Sequence, residues 1–256
     1  MADLRAAGVL AGIRWAYESA TRRSLEMYCE ADGLDHAWLG NTRFTLFRDR
    51  LDRVFACHRY TVYAEDGARD LDVLHAELSG HDVSTLPGIP PGTVRRADLR
   101  GSAGWACRHR RFLIASAESG RLDTLPWQEK SYTKQLVALQ RSPDHLQPSL
   151  FEDLEYDADP DAGEPDEWLT TFVVAHTLDP KSGAFELTFG RPLLNPGGPA
   201  WYWREDLLDE PLTEARRPAD VTPVVTAAPP VHPVPPVPDA EVRLRHTETG
   251  RRDAAS

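Results

Sequence analysis

The sequence predicts an α+β fold: N-terminal helices packed on a mainly antiparallel sheet, with a disordered Pro-rich C-terminal tail. Apolar residues recur at helical spacing through the first 55 or so positions. Between 168 and 192 the pattern changes to alternation, broken once by a turn. From Pro211 onward prolines come too often for a helix or a central strand to persist. The predicted organisation is one globular domain over 1–210 and a tail over 211–256.

Leu10, Ile13, Tyr17, Ala20 and Met27 mark the first helix, with Arg14, Glu18, Arg22 and Arg23 between them and Gly33 as its stop. "NTRFTLFRDRLDRVFACHRY" (41–60) gives the second, capped at Asn41 or Thr42. Its apolar stripe is Phe44, Phe47, Leu51, Val54 and Phe55. Arg43, Arg48, Asp49, Arg50, Asp52 and Arg53 are expected on the solvated remainder, with Arg48 and Asp52 a weak i,i+4 pair.

"RYTVYA" (59–64) reads as a strand, 69–78 as a short helix through Leu71, Leu74 and Leu78, and 84–93 as a Pro/Gly loop. "GWACRHRRFLIASA" (104–117) reads as one strand. Over 132–140, Tyr132, Leu136 and Leu139 suit a helix, whereas Thr133 and Val137 suit a strand, which is the expectation adopted.

Phe172, Val174, His176 and Leu178 alternate, as do Phe185, Leu187 and Phe189. Asp179-Pro180-Lys181-Ser182-Gly183 joins them into a hairpin. Val173 and Ala175 make the first strand apolar on both sides, so it is expected in the middle of the sheet. "AWYWREDLL" (200–208) reads as a closing strand or turn that packs aromatics onto the sheet.

A chain of 256 residues with 41% hydrophobic content can bury one sizeable core. The three cysteines, Cys29, Cys57 and Cys107, form no paired framework and fit a reducing cytosol. The start lacks a signal-type pattern, and no run nears the ~20 apolar residues of a bilayer span. A cytoplasmic protein without a membrane partner is expected, of undetermined oligomeric state.

The net charge of −11 opposes general attraction to nucleic acid. The charge is nonetheless segregated. Nine basic residues between Arg95 and Lys134 face four acids, while 151–210 holds only Lys181, Arg191 and Arg204 against many carboxylates.

No motif for chemistry survives close reading. Asp157, Asp159 and Asp161, followed by Glu164, Asp166 and Glu167, suggest a calcium loop. Ala162 stands where the turn needs glycine, and Trp168 where the bidentate glutamate belongs, so a hydrated acidic loop is expected. Cys57-His58 and Cys107-x-His109 lack zinc-ligand spacing. Cys107, flanked by Arg108 and Arg110, is a conceivable nucleophile with His109, His81 or His58 as base; a structural thiol is the expectation. "PGIPPGT" and "NPGGP" lack phosphate-loop spacing. Asp123, Glu129, Lys130, Lys134 and Glu186 do not assemble into a magnesium site from sequence, and His176 reads as a satisfied core histidine. No metal and no cofactor are expected.

The candidate binding residues are Arg95, Arg96, Trp105, Arg108, Arg110, Arg111, Trp127, Lys130 and Lys134, a basic stretch with aromatics. The functional expectation is a non-catalytic regulatory or adaptor protein that binds another protein through charged surfaces or its tail. The alternative is a nucleic-acid-acting protein using 95–134, including a divalent-metal nuclease.

Overall fold

The long helices come first along the chain and the sheet follows. In the computed structural model, residues 1–62, 73–140, 169–194 and 196–209 are described. All belong to one unit, Met1–Ala219. The acidic stretch 156–168 and the tail 211–256 lie outside the described residues.

A short helix α1 (Ala2–Ala6) precedes α2 (Val9–Glu26) and α3 (His36–Val54). Ile13, Tyr17 and Ala20 of α2 meet Phe47 and Leu51 of α3, all wholly buried. Each large apolar side chain so buried is worth about 1.5–3 kcal/mol. The approach is close at Gly12, where a Cβ would lie 2.9 Å from the Phe55 ring and 2.8 Å from Ile89.

α3 starts five residues before the predicted Asn41 cap. Asp35 is the cap, because its carboxylate accepts the Trp38 N–H at 2.7 Å. Gly33 ends a single 3₁₀ turn at 30–32 instead of α2.

The sheet has six strands in sequence order: β1 (Arg95–Arg96), β2 (Gly104–Cys107), β3 (Arg110–Ser116), β4 (Thr170–Leu178), β5 (Phe185–Pro192) and β6 (Trp201–Asp206). Four of the five pairings are antiparallel, and β3 with β4 is parallel. The sheet is therefore two antiparallel meanders joined side by side. The fold is α+β, with N-terminal helices on a mainly antiparallel sheet, as the periodicities predict.

The β4–β5 hairpin forms as expected. Its turn closes with Gly183 at φ 72°, a conformation that costs glycine little. β4 lies between β3 and β5 and is covered on both faces. Phe112, Ile114, Phe172, Val174 and Phe189 point at α2 and α3. Leu113, Ala115, Val173 and Ala175 point the other way, at α5 (Tyr132–Ala138), Leu125 and Trp127. Trp127 and Trp201 pack edge to face at 5.1 Å behind the sheet.

Three local expectations fail. Residues 104–117 are not one strand but the β2–β3 hairpin, with Arg108 at φ 53° in its turn and Cys107 opposite Arg110. Residues 132–138 are helical, since Thr133 and Val137 find burial against the sheet without extending, and packing outweighs the strand preference of β-branched residues. Of the strand expected over 59–64, Arg59 and Tyr60 do not extend. His58–Tyr60 is a 3₁₀ turn held by α3, and 63–72 lie outside the described residues. A short helix α4 (Gly80–Thr85) opens the segment predicted as loop, and 73–75 are helical within the predicted 69–78.

Candidate functional site

Arg48 is exposed as expected, but most charged residues of α3 are not on a solvated face. Arg43, Arg50, Asp52 and Arg53 are each at most 7% exposed. Two carboxylates organise those at the C-terminal end. Asp49 accepts from Arg50 Nη1 at 2.6 Å, Arg53 Nε at 2.9 Å, the Tyr60 hydroxyl at 2.6 Å and Arg59 Nη2. Burial pushes the Asp49 carboxyl up, but the bonds from Tyr60, Arg59 and Arg53 more than offset it and hold it below the ordinary carboxylate range. Arg53 also donates through Nη1 to the carbonyls of Leu74 and Ala76 at 3.0 and 2.8 Å.

Asp52, one turn on, faces the sheet. Its Oδ1 accepts from the Trp105 indole at 2.8 Å and Arg96 Nη1 at 2.6 Å, and the Cys57 thiol stands 3.7 Å away. Arg96 lies over the Trp105 ring at 4.5 Å and donates through Nε to Asp98 at 2.6 Å. β1 and β2 are thus fastened to α3 through one buried carboxylate.

Beside this junction lies a cleft of about 640 Å³ between residues 56–62 and 91–96. Ala56, Val62, Val94 and Pro91 line it, with Cys57, His58, Arg95 and Arg96. The backbone there is strained: Ala56 and His58, either side of Cys57, stand at φ 46° and 56°. Positive φ costs a non-glycine residue of order 1 kcal/mol and persists only where surroundings enforce it. Here the Cys57 N–H is held by the Asp52 carbonyl at 2.9 Å.

The chemistry available in the cleft is restricted. Burial, then the neighbouring Asp52 charge, pushes the Cys57 thiol up to about 12, so it stays protonated at neutral pH. Asp52 is engaged on Oδ1 by two strong donors. His58 Nδ1 lies 3.9 Å from Asp52 Oδ2, and its side chain is largely exposed. Cys107, the nucleophile candidate from sequence, is buried on the core face. Burial raises its thiol despite Arg108 and Arg110, whose effect is the smaller one.

The sequence-predicted binding residues do not share a surface. Arg95 is exposed at the cleft, and Arg96 is tied to Asp52 and Asp98. Trp105 (0% exposed) and Trp127 (1%) are buried on opposite faces of the sheet, so neither offers a ring for stacking. The Trp127 indole donates to the Ala200 carbonyl at 2.6 Å. Arg108 is exposed in the β2–β3 turn, and Arg110 pairs with Asp3 of α1 at 3.1 Å. Arg111 is buried. Lys130 donates to the Ser116 carbonyl at 2.8 Å, and Lys134 is half-buried on α5, its ammonium pulled down by burial and then by Lys130.

Of the proposed magnesium parts, Asp123 pairs with Arg204, and Glu186 accepts from Thr177 and the Gly120 N–H. Among the described residues no three His, Cys, Asp or Glu side chains gather as metal ligands, and no helix is long and apolar enough to cross a membrane.

Periodicity left one signal unused. Arg43, Phe47, Arg50 and Val54 fall on a single helical stripe, so two arginines share the buried face of α3 with its apolar residues. No protein-family model, no curated protein and no solved structure matches this chain.

Proposed function

We propose that this chain is a non-catalytic module that binds another protein, and that the cleft beside Asp52 receives an acidic segment of that partner. The observation that carries the reading is the state of the cleft's reactive groups. Its thiol is held protonated and its carboxylate is already engaged by the Trp105 indole and Arg96, which suits recognition better than turnover. An apolar lining with Arg95 and His58 exposed beside it complements a side chain flanked by carboxylates. The strained backbone on both sides of Cys57 holds this shape in advance, which lowers the ordering cost of association.

The test uses the full chain as bait in native lysate, alongside Arg95→Glu and Thr61→Trp, two exposed positions at the cleft. A stoichiometric partner retained by the parent chain and lost by both variants is expected. Recovery of no stoichiometric partner, or equal recovery by the variants, defeats the reading.

A further inference from the structure

Arg43 is the exception among the buried arginines of α3. It is 6% exposed, and neither Nε nor Nη1 has a hydrogen-bond partner. Burial pulls its guanidinium down, and the ionisable neighbour that acts on it is Tyr17, over whose ring it sits at 5.9 Å. The Tyr17 hydroxyl is not available to it as a counter-charge, since it donates to the Thr177 carbonyl.

Near the same ring stands His176 of β4, wholly buried, 5.3 Å from Tyr17, 5.4 Å from Phe47 and 6.5 Å from Phe44. Its Nε2 faces the Ser116 hydroxyl at 3.5 Å, and its Nδ1 has no partner. The satisfied core histidine expected from sequence is therefore only half satisfied. The charges acting on it are all positive: Arg43, Lys134 and Lys130. The nearby carboxylate, Glu186, is occupied by Thr177 and Gly120.

Buried polar atoms without a partner, from α3 and β4, thus lie near one aromatic ring. A buried guanidinium without a counter-ion is costly, and a buried polar atom without a partner calls for a missing one. We propose that Arg43 and His176 hold a small oxyanion, a phosphate or a carboxylate, between α3 and the C-terminal end of β4. Arg43 donates to it through Nε and Nη1. With the Ser116 hydroxyl donating to Nε2, His176 is the tautomer that carries its proton on Nδ1 and donates from there. Its position beside the carboxyl end of the parallel β3–β4 pair is where open sheets commonly receive ligands.

The test compares the full chain in chloride buffer with inorganic phosphate or acetate at matched ionic strength. It follows the melting temperature and titration heat. A saturable rise in melting temperature with at least one oxyanion is expected, and the responding one identifies the class. Arg43→Met should lose the response and melt no lower than the parent in chloride. His176→Phe should weaken binding about tenfold or more, the effect of one charge-assisted bond. The Nδ1 ¹⁵N resonance of His176 in the parent should shift on addition, as its N–H gains an acceptor, a readout that needs no variant. The proposal is overturned if neither oxyanion acts on the parent chain beyond chloride. It also falls if Arg43→Met responds like the parent, or if Arg43→Met is destabilised equally in all three buffers.

Discussion

The two halves of α3 bury arginines in opposite ways. At the C-terminal half, Arg50 and Arg53 lie against Asp49, and Arg96 reaches Asp52 from the sheet. Each of these cations has a carboxylate and further acceptors, among them Ser19 Oγ for Arg50 and the carbonyls of Leu74 and Ala76 for Arg53. At the N-terminal half, Arg43 lies over the Tyr17 ring and has no anion partner among the described residues. The first arrangement satisfies its groups within the chain and fixes α3 to β1 and β2. The second leaves polar atoms over, which is why it is read as a place for something from outside. Burial alone does not separate the two; the count of acceptors does.

The largest test of this contrast is Asp52→Ala. It strips the Trp105 indole of its acceptor and Arg96 of one of its two carboxylates, so a loss of about 1–3 kcal/mol is expected in urea unfolding. A loss below ~1 kcal/mol would mean that the C-terminal network is a bystander.

The next concerns His176. Burial, then Arg43, Lys134 and Lys130, holds its imidazole well below the ordinary histidine value of 6.5. Below pH 6.5 the unfolded chain takes a proton there that the folded chain refuses. Stability should therefore fall as pH drops from 6.5, by up to about 1.4 kcal/mol per unit from this residue. His176→Phe should remove that part of the slope. An unchanged slope between pH 6.5 and 5 would show that the ring is protonated in the fold and would undo the contrast between the two halves.

The smallest effect concerns the helix end nearest Arg43. Asp35→Ala removes the cap on Trp38 and should cost about 1 kcal/mol, with chemical-exchange protection lost only in the first turn of α3. Loss spreading to Asp49 and Asp52 would indicate that the two halves act as one unit.

Much of the scaffold was legible in the residues themselves. Alternation through Phe172, Val174, Phe185, Leu187 and Phe189 specifies a hairpin, because side chains on a strand point to opposite faces in turn. Apolar residues on both sides of β4 specify a central position. The 3.6-residue recurrence in α2 and α3 specifies helices with one buried stripe. The candidate site was far less legible. Asp49, Asp52 and their arginines look like a wet surface, since a sequence does not say which polar residues meet a partner from another element. Asp52 depends on Trp105 and Arg96, more than forty residues away, and Arg43 depends on β4.

The sequence by itself determined the class of fold, the order of its long elements and the central place of β4, because all of these rest on short-range periodicity. Only the tertiary structure decided that residues 104–117 turn back on themselves, that 132–138 coil into a helix, and which charges are buried. Those outcomes hinge on contacts between distant segments, where packing and pairing of polar groups outweigh local preference.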